Sequence, residues 1–254
     1  MTKELYHINN PNKVVEIRNL VKSFGTNKVL DGFNLDLYEG ETLVVMGKSG
    51  SGKSVMIKCI IGLEPFEEGS IRVMNKFLTD AEEEDLNEIR TEVGFLFQGN
   101  ALYDSMTVRE NLEFPLRRHT KKFGVIKDAT PMVFEVLKSV GLEHTIDFLP
   151  EELSGGMKRR IALARTLILK PKVILYDEPT TGLDPITSKE IVILMKSIQE
   201  KYKTSSIVIT HDVDCARVIA DRMILLIDGI NYVEGTFKEL DESTDPKIQA
   251  FFKS

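Results

Sequence analysis

TLVVMGKSGSGKSVMIKCIIGL, residues 42–63, runs from an apolar strand-like segment through a glycine-rich turn into an apolar helix. Inside it GKSGSGKS, Gly47 to Ser54, has the spacing G-x-x-x-x-G-K-[ST]. Bare backbone at the glycines lets successive N–H groups curl around phosphate oxygens, and the start of the following helix adds its dipole. Gly47, Lys48, Ser49, Gly50, Ser51, Gly52, Lys53 and Ser54 are therefore the first candidate binding residues. Lys53 is expected to reach the β- and γ-phosphates of a nucleotide, and the Ser54 hydroxyl to ligate Mg²⁺.

Short apolar segments recur on both sides of this turn. VVEIRNL (14–20), TEVGFLF (91–97), KVILYD (172–177), SSIVIT (205–210) and RMILLI (222–227) read as strands. Helix-like stretches at 184–203 and 212–221 separate the later ones. Strands alternating with helices imply a mainly parallel sheet covered on both faces. From 98 to about 165 the pattern turns helical, broken by glycine and proline, and reads as an insertion. In KVILYDEP a buried strand ends on Asp177 and Glu178. One carboxylate can hold Mg²⁺ while its neighbour polarises an attacking water.

Composition narrows the function classes. The 254 residues carry a net charge of −6, which argues against a general affinity for nucleic acid. Cys59 and Cys215 lie far apart in apolar, helix-like contexts and read as buried thiols, not a disulfide. No apolar run approaches the ~20 residues needed to cross a bilayer. The opening MTKELYHINN has no apolar core of a secretory signal. A cytoplasmic protein is expected, with any membrane connection made through a partner.

ELSGGMKRRIALARTL, residues 152–167, sets two glycines at the mouth of a helix, where they weaken it. GKSGSGKS, Gln98 after FLF, LSGGM, VILYDEPTTGLD and IVITHD, in this order, resemble an ABC-type ATPase cassette. The resemblance implies an α/β P-loop NTPase with a RecA-like, mainly parallel sheet. It adds an antiparallel N-terminal β-subdomain and a helical subdomain at about 99–165. The ATPase domain would span 14–234, with a C-terminal extension at 235–254. It also implies a head-to-tail homodimer that encloses and hydrolyses two ATP, with Mg²⁺ as cofactor.

Residue roles carry over by position. Phe24 matches the aromatic that stacks on adenine, with a core phenylalanine as the alternative. Gln98 matches the sensor of Mg²⁺ and the attacking water, and Asp177 a metal ligand. Glu178, His211, Lys53 and Gln98 form the expected catalytic set. Asp184 matches a loop at the dimer interface and doubles as a helix N-cap. Ser154, Gly155 and Gly156 would face the ATP of the opposite protomer, donating a hydroxyl and backbone N–H groups. Met157 replaces the usual glutamine there; the donors remain, so catalysis is expected to survive.

A narrower likeness rests on SGGMKRRIALART, FQGNALYDSMTVRENLEFPLRRHT, DPITS (184–188) and DPKIQAFF (245–252). Together they resemble the ATPase of lipid transporters that work with MCE-domain proteins, such as the maintenance-of-lipid-asymmetry systems. That implies phospholipid cargo, an MCE-domain partner, and a permease helix docking near 99–122. The cassette would sit on the inner face of the cell membrane. Exposed apolar residues within 102–116, Leu102 among them, are the expected docking surface. RRHTKK (117–122) could meet anionic headgroups or simply be a solvated face. The C-terminal DPKIQAFFKS could pack on its own domain or cross to the partner. A cassette of another small-molecule transporter and a soluble, non-transport ATPase are the alternatives.

Overall fold

A computed structural model describes residues 12–79 and 81–252, apart from the Lys121 side chain. The chain opens with a hairpin of β1 (Lys13–Phe24) and β2 (Asn27–Tyr38), turning at Gly25 in left-handed backbone. Next come β3 (Thr42–Met46) and α1 (Lys53–Ile60), then β4 (Glu68–Val73) and β5 (Lys76–Phe77). α2 (Glu83–Glu92) leads directly into β6 (Val93–Leu96). A helical insertion follows: α3 (Val108–Arg118), α4 (Thr120–Phe123), α5 (Thr130–Val140) and α6 (Gly155–Leu167). The chain then forms β7 (Val173–Asp177), α7 (Pro185–Tyr202), β8 (Ser205–Ile209) and α8 (Val213–Ile219). β9 (Arg222–Ile227), β10 (Ile230–Gly235), α9 (Phe237–Asp241) and α10 (Pro246–Phe252) end the described chain.

Two sheets result. β2-β1-β4-β5 is antiparallel, and β10-β9-β3-β8-β7-β6 is parallel except for its β10 edge. Side chains of a strand alternate between faces. Leu43, Val45, Leu175 and Ile209 therefore join Ile17, Leu35 and α1 in the core shared with the antiparallel sheet. Val44, Met46, Tyr176 and Val208 face the other way, toward the insertion and α7 and α8. Burial on both faces is why these strands read as continuous apolar runs. A buried ion pair ties β9 to the turn between β2 and β3: Arg222 Nε donates to Glu41 Oε1 at 2.7 Å.

The structure corrects several boundaries. Thr91 and Glu92, expected in a strand, close α2, and the helix after the phosphate turn stops at Ile60. Gly62 then takes φ +64, a conformation that ends a helix cheaply. β2, β4, β5 and β10 were not separately legible, because alternating charges such as Asp31 and Asp36 break up their apolar pattern. Leu102 does not stand out as a docking residue, since it is half-buried and packs on the core. Leu112 and Leu116 are buried outright, whereas Tyr103 remains 43% exposed. Both cysteines are buried and unbridged. α10 lies on its own domain through buried Ile248 and an edge-on contact of Phe252 with Phe237, centroids 5.5 Å apart.

α6 is pressed against β6 where the sheet admits no side chain. A Cβ at Gly94 would stand 2.4 Å from the Thr166 methyl and 3.1 Å from Pro171 Cγ. Gly94→Ala should therefore destabilise the fold by roughly 1–3 kcal/mol, the usual range for overpacking. Urea denaturation of Gly94→Ala, Thr166→Ser and the double variant checks this. Serine keeps the hydroxyl that donates to Ala162 O at 3.0 Å but removes the methyl. The double variant is expected to recover part of the loss.

Candidate functional site

The loop after β3 and the ends of β7 and β8 surround a cavity of about 790 Å³. Residues 47–55 form its floor, and Phe24, Gln98, Glu178 and His211 reach it from elsewhere in the chain. Gly50 and Gly52 adopt φ +77 and +99, which side-chain-bearing residues rarely do. At Gly47 a Cβ would lie 2.7 Å from Leu226 O, so there bareness serves packing as well as backbone exposure. Gly52 precedes α1 without a side-chain cap, leaving the first N–H groups of the helix for an anion.

Lys53 is nearly buried, and its ammonium donates to Gly47 O at 2.8 Å and Lys48 O at 3.0 Å. Burial pulls its pKa down, against the opposing pull of Glu178 and Asp177. Ser54 Oγ donates to Asp177 Oδ1 at 2.8 Å, joining residues 123 positions apart. Desolvation raises the Asp177 pKa; the Ser54 bond lowers it and the charge of Glu178 adds to the rise. A hydroxyl and a carboxylate are hard oxygen donors of the kind Mg²⁺ takes. The pair would suit a Mg²⁺ ion that arrives with a nucleotide.

Glu178 sits at φ +50, in left-handed backbone unusual for a glutamate. Its amide donates to Ile209 O at 2.9 Å, which fixes the turn. Its Oε2 accepts from Thr181 Oγ1 at 3.1 Å and lies 2.9 Å from His211 Nδ1. Backbone strain of this sort costs about 1–3 kcal/mol and gathers at functional positions. Phe24 is 48% exposed, which removes the core alternative; Lys22 Nζ stands 4.8 Å from its ring centroid.

Ser154, Gly155, Gly156 and Asp184 stand outside this cavity. Ser154 caps α6, its Oγ accepting from Met157 N at 3.2 Å. Asp184 caps α7, accepting from the amides of Ile186 and Thr187 and from Thr187 Oγ1 at 2.5 Å. The two glycines differ. A Cβ at Gly156 would meet the Thr187 methyl at 2.6 Å, whereas one at Gly155 meets nothing within 4 Å. Packing within the chain accounts for Gly156 alone. Thr181 was missed, although DEPTTG puts a hydroxyl three residues past Glu178. Ala250 and Phe251 also line the cavity, and no sequence signal places α10 there.

The sequence profile of the ABC transporter family matches residues 30–181, from the hairpin through the phosphate loop to Thr181. The chain belongs to that family. It is 41% identical over 216 residues to the methionine import ATP-binding protein MetN of Clostridium tetani, covering 85% of this chain and 67% of that one. The probable ribonucleotide transport ATP-binding protein mkl of Mycobacterium leprae is 39% identical, with 93% and 68% covered. Among solved structures, the post-hydrolysis dimer of the ATP-binding cassette MJ0796 bound to ADP and Pi superposes with a TM-score of 0.79. It is 35% identical, with 88% of this chain and 98% of that one covered. The protein is thus an ABC transporter ATPase, and its fold is that of the family.

The glycine pair can be separated experimentally. Gly156→Ala should lower the stability of the isolated chain, because the Thr187 methyl is pinned by its own hydroxyl bond. Gly155→Ala should leave stability unchanged or raise it by up to about 1 kcal/mol through helix propensity. It should nevertheless weaken ATP-dependent dimerisation, since only a second molecule can object to that methyl. Thermal melts together with size-exclusion chromatography in ATP check both outcomes.

Proposed function

We propose that this cassette hydrolyses ATP as a head-to-tail homodimer that drives a membrane permease, and that its cargo is phospholipid. The observation carrying the ATPase assignment to residues is Glu178: strained, held by Thr181 and His211, and sharing a cavity with Lys53 and with Ser54, whose hydroxyl bonds Asp177 behind it. Phe24 stacks on the adenine, while residues 47–54 wrap the phosphates with backbone N–H groups. Lys53 exchanges its two loop carbonyls for β- and γ-phosphate oxygens. Ser54, Asp177 and Gln98 would hold the Mg²⁺ that comes with the nucleotide, which would offset phosphate charge. Glu178 orients and polarises the water, and His211 keeps the carboxylate aimed while reaching toward the γ-phosphate. Ser154 and the N–H groups at Gly155 and Gly156 complete the partner's site, with Asp184 at the seam.

ATP that binds the closed pair more tightly than the open one shifts the population toward closure. Hydrolysis reverses the shift. Residues 99–122 carry the motion to the permease, and Tyr103 is a natural contact point, exposed and tilted against Phe114 with ring centroids 4.9 Å apart. Among the described residues no helix is long and apolar enough to cross a membrane. We place the cassette on the cytoplasmic face of that membrane. The phospholipid reading and its MCE-domain partner rest on the likeness of residues 97–120, 154–166, 184–188 and 245–252 to that subgroup. The relatives' names, methionine import and ribonucleotide transport, favour a second reading with a small polar cargo.

Glu178→Gln tests the mechanism. It should retain ATP binding while hydrolysis falls about 10²–10⁴-fold, the usual loss with a general base. ATP-loaded variant should accumulate as a closed dimer; turnover near wild type removes Glu178 from the chemistry. For the cargo, the cassette is co-purified with its membrane subunits and reconstituted into vesicles. Labelled phospholipid should move only with ATP and not with Glu178→Gln. Movement of methionine or a ribonucleotide instead replaces the lipid reading.

A further inference from the structure

Arg159 lies three residues past Gly156 on α6, is 2% exposed, and points away from the face that Ser154 presents to a partner. Its Nη1 donates to Phe97 O at 2.9 Å and its Nη2 to Gln98 O at 2.8 Å. Nε finds no acceptor, and among the described residues no carboxylate pairs with the charge. A buried guanidinium held by two neutral carbonyls is costly, and an apolar side chain of similar volume would serve packing better. Burial accordingly pulls its pKa below the ordinary arginine value. What the cation provides is a planar fork that fixes two successive carbonyls.

Those carbonyls need fixing. β6 ends at Leu96, so Phe97 and Gln98 leave the sheet, and Asn100 and Ala101 follow in left-handed backbone. The rest of α6 grips the same segment. Thr166 packs on Gly94, and the Arg165 guanidinium lies 5.7 Å from the Tyr103 ring. On its other side α6 is held by the Thr187 methyl against Gly156 and by Arg160 to Glu190 at 2.6 Å.

We propose that Arg159 is a positioning residue that locks the backbone of Gln98 to the helix carrying Ser154, so that the two half-sites of one chain move as a unit. This rests on the reading above, in which Gln98 attends the chain's own ATP and Ser154 the partner's. A displacement of Gln98 when its γ-phosphate leaves then shifts the donors facing the other ATP. The two sites of the dimer are thereby coupled through each chain's interior.

The test uses the full chain with Arg159→Lys, which keeps a cation but cannot span both carbonyls, and Arg159→Met, which removes the charge. Binding of fluorescent ATP to the monomer, melting temperature, kcat and the Hill coefficient for ATP are measured on each. Both variants should bind ATP within about twofold of wild type and melt near it or, for Met, at or above it. Losing hydrogen bonds to a charged group should lower kcat tenfold or more, and the Hill coefficient should fall toward one. Unchanged kcat and Hill coefficient in both variants overturn the role, as does a loss of kcat that only tracks lost melting temperature. A wild-type chain that neither dimerises nor hydrolyses ATP overturns the reading of the site itself, and with it this role.

Discussion

The hydrogen bond from Ser54 to Asp177 depends on strand register, and most of the site depends on the same register. Val45 pairs with Ile209 and Ile209 with Asp177, so β3, β8 and β7 end in one row. Parallel strands point their C-terminal ends the same way, and a ligand is taken up beyond that edge. The phosphate loop leaves β3 there, Glu178 follows β7, and His211 follows β8. A slip of one residue would reverse the faces of β3 and take its exit out of line. The two apolar cores prevent it, because both faces of β3, β7 and β8 are filled.

The site is polar where the surrounding strands are apolar, and it stores strain there. Glu178 takes left-handed backbone, Lys53 and Asp177 are buried at a cost in charge solvation, and the loop closes on its own carbonyls. On the function proposed above, phosphate would give Lys53 a charged acceptor, and a cation would give Asp177 a positive neighbour.

A cassette of this kind must join a nucleotide site to surfaces that lie outside it. Ser154, Gly155 and Asp184 are absent from the cavity, yet α6 and α7 carry them on firmly packed helices. Gly156 against Thr187 brings the two helix starts together, and Arg159 ties α6 to the segment after β6. Tyr103 stays exposed a few residues further along the same segment. On the function proposed above, these contacts are the route from the nucleotide to the partner cassette.

The phosphate loop, the acidic pair after β7 and the alternation of strands with helices were legible in the linear sequence. Each is a local pattern: glycine spacing, an apolar run ending in charge, a recurring period. The family followed from the order of those patterns, and the capping role of Asp184 from a side chain within reach of its own helix; that Ser154 caps α6 came from the structure. The antiparallel strands were less legible, because their half-exposed faces mix charge into the apolar pattern. Only the tertiary structure separated Gly156 from Gly155, since the atom that excludes a side chain belongs to Thr187, 31 positions away. It alone took Phe24 out of the core, packed Leu102 against it, and set Ala250 and Phe251 beside the phosphate loop. It alone gave Arg159 its acceptors. These are contacts between distant segments, and they follow from which faces the two cores bury, a property no short stretch of sequence carries.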